Sequence, residues 1–318
     1  MTEFKSRFAD DINKFLDFKE ALGIDRKSTY NHIKAFDGFC ATNRPDSDIL
    51  IREIVLAWLS EKSDTSKNRN EASAVRQFGK YLNAIGKKAY ILPDKFVINR
   101  TSFVPYIPSD SELSAFFYAA DSLEYNKRSP RAYLIFPVLF RLLYTCGLRP
   151  NEGRELKTED INLKNGEIFI RQNKQHKERI VVMSDDMLRL CVEYDTKRKM
   201  LGTDGIYFFS TIGNKPFSPG ELYSWCNKCW KAANPDVPKD NLPRLRPYDF
   251  RHCFASVTIH RWLDERRELE AMMPFLRAYM GHSTFESTFY YVHLLPETLV
   301  HSAGVDFSKF ENLLPEVE

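Results

Sequence analysis

Four short stretches of this 318-residue chain hold polar residues that helical or strand periodicity leaves unexplained. In Thr145-Cys146-Gly147-Leu148-Arg149-Pro150-Asn151-Glu152, Gly147 can end one helix and Pro150 can open the next, which holds Arg149 at a helix junction. Lys174 lies in a polar stretch between two β-rich runs, and Arg246-Pro247-Tyr248-Asp249-Phe250-Arg251-His252 opens a helix through Phe250, Phe254 and Val257. The last stretch is Met280-Gly281-His282-Ser283-Thr284, followed nine residues after the histidine by Tyr291-Val292-His293. Guanidinium, ammonium, imidazole and phenol groups bind anions, move protons and attack electrophiles. Each residue taken singly reads as a surface ion pair, a solvated lysine or a packed tyrosine; the set and its order demand more.

The elements that must position these residues are mostly helices. Phe8, Ile12, Phe15 and Leu16 recur at helix spacing, as do Tyr30, Ile33, Phe36 and Phe39, so residues 1–85 read as a small helical bundle. Its last helix, from about Thr65 to Leu82, puts Val75, Phe78 and Leu82 on one face and Arg69, Ser73, Arg76 and Lys80 on another. With Lys67 nearby, the second face suits either solvent or DNA phosphates. Residues 86–108, with Pro93, Pro105 and Pro108 and no sustained period, read as a linker. The second domain, 109–318, opens with the capping box Ser109-Asp110-Ser111-Glu112, and Ser218-Pro219-Gly220-Glu221 starts a later helix. Between them Glu167–Arg171 and Arg179–Met183 predict a β-hairpin with a basic tip. The expected class is mainly α with a small antiparallel β-sheet, and no internal repeat is visible.

Composition narrows the function. Hydrophobic content of 43% and charged content of 28% suit a globular chain and exclude low complexity, while the length favours two domains. The first residues mix acids and bases with no apolar run, so neither a signal peptide nor a membrane helix is expected and a cytoplasmic protein follows. Six dispersed cysteines are expected to be reduced; Cys226-x-x-Cys229 lacks the second ligand pair of a zinc site and reads as two residues on adjacent helical turns. A net charge of +3 is too small to argue for nucleic acid by itself. No G-x-x-x-x-G-K-[ST] loop and no magnesium-type carboxylate cluster are present, so neither cofactor nor metal is expected.

The order R-x-x-E, hairpin lysine, R-H, G-H and Y-x-H resembles the tyrosine recombinase (phage integrase) family, closely over residues 109–318 and only in architecture before that. The resemblance implies an N-terminal helical core-binding domain, a C-terminal catalytic domain, and cleavage and rejoining of DNA through a 3′-phosphotyrosine. It assigns Arg149 and Arg251 to the non-bridging oxygens of the scissile phosphate, where guanidinium groups donate bidentately and stabilise transition-state charge. Lys174, which precedes a K-x-R-hydrophobic run, would protonate the leaving 5′-oxygen, His282 would hydrogen-bond the phosphate or the nucleophile, and Tyr291 would attack phosphorus. A phenol with pKa near 10 needs a cationic field to do so. Glu152 would orient Arg149, and His293 completes the Y-x-H.

Two departures stand out. Box II of the family usually begins with histidine; here the position is Tyr248, which can donate a hydrogen bond but does not readily shuttle a proton near pH 7. The stretch from Arg251 to His282 is long and carries Asp264-Glu265-Arg266-Arg267-Glu268, which reads as a solvated face. Tyr290 adjoins Tyr291, but adjacent helical residues point about 100° apart, and the Y-x-H spacing selects Tyr291. The resemblance further implies double-stranded DNA as partner, a homotetramer on paired sites, and accessory bending or directionality proteins. A type IB topoisomerase-like nicking-closing enzyme and a DNA-binding regulator with a decayed site are the rival readings.

Overall fold

A computed structural model of the chain describes residues 4–61, 66–93, 105–171, 178–202 and 205–291. The chain divides into two compact units, Met1–Phe103 and Val104–Glu318.

Among its described residues, unit 1 holds four helices: α1 (Ala9–Ala21), α2 (Arg26–Asn43), α3 (Arg52–Ser60) and α4 (Ser66–Ala84). Asp25 caps α2 by accepting from the amides of Lys27 and Ser28. The apolar stripes predicted from periodicity meet in one core, in which Phe8, Ile12, Phe15, Ile33, Phe36, Trp58, Val75 and Phe78 are all buried. On the other face of α4 the basic residues differ in what they do. Lys80 is exposed, whereas Arg76 donates through Nε to the Leu92 carbonyl at 2.7 Å and through Nη2 to the Pro93 carbonyl at 3.0 Å. Arg69 is half-buried, with its Nε shielded and lacking a hydrogen-bond partner. The Lys67 side chain lies outside the described residues.

Unit 2 contains α5 (Asp110–Asp121), α6 (Ala132–Thr145), α7 (Pro150–Arg154), α8 (Asp185–Met200), α9 (Pro219–Ala233), α10 (Asp249–Asp264), α11 (Leu269–Met280) and α12 (Glu286–Phe289). Both capping boxes form, at Ser109 and Ser218. Helix α6 is apolar around most of its circumference and packs against α5, α8 and α10, which makes it the central helix of the unit. Phe116 of α5, Phe140 of α6 and Phe250 of α10 meet with ring centroids 5.0–5.9 Å apart, fixing α10 against the centre. Cys226 and Cys229 are buried and free on α9, and no group of three or more metal-binding side chains occurs among the described residues. No described helix is long and apolar enough to cross a membrane.

The sheet is antiparallel with order β1-β2-β3, formed by Ile161–Asn162, Glu167–Ile170 and Arg179–Val182. The predicted hairpin is β2–β3, with Ile168 opposite Val181 and Ile170 opposite Arg179. The short strand β1 had no periodic signal because two residues are too few to show one. The hairpin tip, including Lys174, lies outside the described residues.

Between α6 and α7 the chain turns through Gly147 at φ +60°, with an added Cβ only 2.4 Å from the Phe254 ring. Alanine at this angle costs about 1 kcal/mol of backbone strain and the overlap about 1–3 kcal/mol more. Gly147→Ala should therefore lower the urea-unfolding free energy of unit 2 by at least about 2 kcal/mol; an unchanged midpoint would mean the Phe254 ring simply swings away.

Candidate active site

The site is built where three chain reversals meet. At the α6–α7 junction Arg149 precedes Pro150, and its own amide donates to Glu152 Oε2 at 2.8 Å, which starts α7. Arg149 Nη1 donates to Glu152 Oε1 at 2.8 Å and Nη2 to the Gly281 carbonyl at 2.9 Å, 132 residues away in sequence.

The second reversal begins α10. Asp249, fully buried, accepts from the Arg246 amide at 2.7 Å and from the Arg246 guanidinium, tightening the Arg-Pro-Tyr-Asp turn. This sets Arg251 facing inward with 0% exposure. Its Nη1 donates to the Gly147 carbonyl at 2.6 Å, and its Nη2 donates to the Met280 carbonyl at 2.5 Å and lies 3.0 Å from His282 Nε2. Its Nε is buried with no partner. Burial, and then the neighbouring charge of Arg149, lower the Arg251 pKa.

The third reversal ends α11. Gly281 adopts the left-handed conformation at φ 64°, and a Cβ there would press on the Arg179 side chain at 3.2 Å. Arg277 secures the following loop by donating to the carbonyls of His282 and Ser283. The turn presents the carbonyls of Met280 and Gly281 in succession, and each takes one arginine. The two guanidinium groups foreseen on one phosphate thus stand on consecutive peptide units.

Arg179 on β3 was not foreseen as a site residue. It donates bidentately to Glu152 at 2.9 and 2.8 Å and through Nε to the Tyr279 carbonyl at 2.8 Å. It therefore ties the sheet to α7 and to the end of α11. The Glu152 carboxyl is held at about 2 against the opposing cost of burial, by Arg179 first and Arg149 second. An arginine opening a β-rich run is the only signal that the sequence offered for it.

His282 is flanked on both ring nitrogens. A guanidinium can only donate, so Nε2 accepts from Arg251; Nδ1, 2.9 Å from Thr288 Oγ1, then carries the proton. Burial, and then the charges of Arg251, Arg149 and Arg179, push its pKa down to about 3, so the ring is neutral. Tyr291 stacks on it with centroids 5.8 Å apart and is only 2% exposed, in a cluster with Ile259, Trp262, Leu276 and Met280. Burial pushes the phenol up to about 12 despite the pull of Arg251. Desolvation outweighs the cationic field expected to activate it. Tyr290 is half-buried alongside, and Tyr248 is 38% exposed at the start of α10. Lys174 and His293 lie outside the described residues.

A phenol set against paired arginines is the equipment of enzymes that join themselves to DNA through tyrosine, and here it sits in a mainly helical domain with a small sheet. Residues 111–298 match the model described as the phage integrase family. The chain belongs to that family: it is a tyrosine recombinase, an enzyme of site-specific DNA recombination. The integrase/recombinase relative y4rE of Sinorhizobium fredii is 27% identical over 298 residues, spanning 92% of this chain and 93% of its own. Tyrosine recombinase XerD of Rhizobium meliloti is 27% identical over 247 residues, covering 74% of this chain and 72% of that protein. Among solved structures, XerH bound to palindromic difH substrate matches with TM-score 0.64 at 18% identity, over 88% of this chain and 79% of XerH. A lambda integrase dimer bound to a COC′ core site matches at 0.61 and 16% identity, over 89% and 94%. At these identities the structural likeness is one of fold.

Glu152→Gln leaves Arg179 buried without its counter-charge, and unit 2 should lose about 3–5 kcal/mol in urea unfolding; a loss under 1 kcal/mol would show that the carbonyl contacts suffice. The pH dependence has a defined sign. A carboxyl held at about 2 rather than 4.5 stabilises the fold above pH 4.5, and that stability is lost as pH falls toward 2. Buried neutral His282 and His252, held at about 3 and about 4, add an earlier loss. Below about pH 6.5 the unfolded chain binds protons that the folded chain refuses. Urea midpoints should therefore begin to fall near pH 6.5, and His282→Gln should flatten the part between pH 6.5 and 4.

Proposed function

We propose that this chain binds duplex DNA and cleaves and rejoins one strand at a time through Tyr291. The phenolic oxygen attacks the scissile phosphorus, the bond to the 5′-oxygen breaks, and the strand's 3′ end is left as a phosphotyrosine with a free 5′-hydroxyl. The bond energy is conserved, and an incoming 5′-hydroxyl reverses the step. The observation that carries this reading is the placing of Arg149 and Arg251 on the consecutive carbonyls of Gly281 and Met280, with Tyr291 buried beside them and the Arg251 Nε unpartnered. A buried arginine donor without an acceptor suits an anion that arrives with the substrate.

In this reading Arg149 and Arg251 hold the non-bridging oxygens, Lys174 on the hairpin protonates the leaving oxygen, and Glu152 orients Arg149. Tyr248, exposed at the head of α10, donates a hydrogen bond to the phosphate, and His293 supports the nucleophile's segment. Residues 1–85 form the core-binding domain, with Lys67, Arg69, Arg76 and Lys80 on its DNA side; residues 86–108 link it to the catalytic domain, 109–318. Of these four, Lys80 is the one whose described side chain is freely exposed, whereas Arg76 already spends two donors on the backbone. The enzyme works in the cytoplasm as a homotetramer on paired sites, serving a mobile element with accessory DNA-bending or directionality proteins.

The test is covalent trapping on nicked duplexes drawn from the DNA flanking the gene. Wild type and Tyr290→Phe should form a protein–DNA adduct, and Tyr291→Phe should form none. Arg251→Ala should lose at least about a thousandfold in adduct formation while retaining DNA binding. Adduct that persists in Tyr291→Phe defeats the assignment.

A further inference from the structure

A buried phenol cannot attack until something takes its proton, and the family resemblance supplies no base at position 248, which is tyrosine. His282 is poorly placed to serve. Its Nε2 lone pair is engaged by Arg251, its Nδ1 faces Thr288, and a proton added there would sit among Arg251, Arg149 and Arg179. One turn along α10 from Tyr248, on the same helix face, is His252. Its ring lies 5.2 Å from that of Tyr248, 5.4 Å from Tyr291 and 6.1 Å from Tyr290. It is 9% exposed, and its Nδ1 is buried with no hydrogen-bond partner. We propose that His252 is the proton acceptor for Tyr291 when the phosphotyrosine forms, replacing the histidine that the start of box II lacks. The inference rests on Tyr291 being the nucleophile.

The charges around the imidazole make this base depend on DNA. Burial lowers the His252 pKa most; Asp249 opposes that, and Arg246 and Arg251 add to it, leaving the ring at about 4. Its other titratable neighbours are the phenols of Tyr248, Tyr290 and Tyr291 and the neutral ring of His282. A phosphodiester bound to Arg149 and Arg251 brings a negative charge that offsets the cation weighing on His252, and raises its basicity when the phenol must ionise. In the step, the Tyr291 oxygen–phosphorus bond forms, the bond from phosphorus to the 5′-oxygen breaks, the phenolic proton passes to His252 Nδ1, and the leaving oxygen takes a proton from the separate general acid. On rejoining, the imidazolium returns its proton to the phenolate as the tyrosine leaves.

Single-turnover cleavage of a nicked duplex by the full chain, from pH 5.5 to 9.5, tests this, with difluorotyrosine, a more acidic phenol, placed at position 291 in each background. His252→Gln should slow adduct formation at pH 7 at least about thirtyfold, with a deficit that shrinks as pH rises, and should leave gel-shift affinity unchanged. The fluorinated phenol should restore His252→Gln by at least about tenfold and change wild type by less than about threefold. A wild-type rate and pH profile in His252→Gln overturns the proposal. So does a deficit that is constant with pH and indifferent to the fluorinated phenol, which marks a packing role. His252→Asn, smaller and also uncharged, must repeat the result if His252→Gln folds poorly. Failure of the parent reading is separate, since it would appear as adduct in Tyr291→Phe whatever happens at residue 252.

Discussion

Two guanidinium groups repel one another, and bringing them together away from water is the constraint around which the catalytic unit is organised. Each charge is met by oxygen from backbone peptides or from one carboxylate: Arg149 by Gly281 and Glu152, Arg251 by Gly147 and Met280. A carbonyl partly offsets a cation without cancelling it, so both arginines keep a net positive charge. The left-handed end of α11 and the glycine turn after α6 leave these carbonyls to the arginines, and Arg179 holds the Glu152 carboxylate from strand β3.

Much of this was legible in the residues. Helical stripes located the core of unit 1, capping boxes located the starts of α5 and α9, and the β-rich runs Glu167–Arg171 and Arg179–Met183 located the hairpin. The order of arginine, arginine, histidine and tyrosine singled out Arg149, Arg251, His282 and Tyr291, which the structure brings close together. What could not be read was how they are held. Backbone carbonyls carry no sequence signature, so the roles of Gly147, Met280 and Gly281 as acceptors were invisible. Arg179 and Asp249 looked like ordinary charged residues because burial, not residue type, makes them structural. The basic face of α4 shows the opposite limit: a stripe uniform in sequence separates in three dimensions into an exposed lysine and an arginine bound to the chain following its own helix.

The same burial acts on every ionisable member of the site, and in opposite directions by charge type. It makes Arg251 and both histidines poorer cations and makes Tyr291 a poorer anion. These shifts favour neutral rings beside a neutral phenol. A negative charge beside the arginines would make those three groups better cations and the phenol a still poorer anion, so it acts on the rings and on the phenol in opposite senses.

The carbonyl of Gly281 that steadies Arg149 is supplied by a peptide made 132 residues after the arginine it holds. A polypeptide emerging from the ribosome with everything through α10 already carries both arginines but has nowhere to seat them as a pair. The pair is therefore assembled only once α11 and its terminal turn have been made.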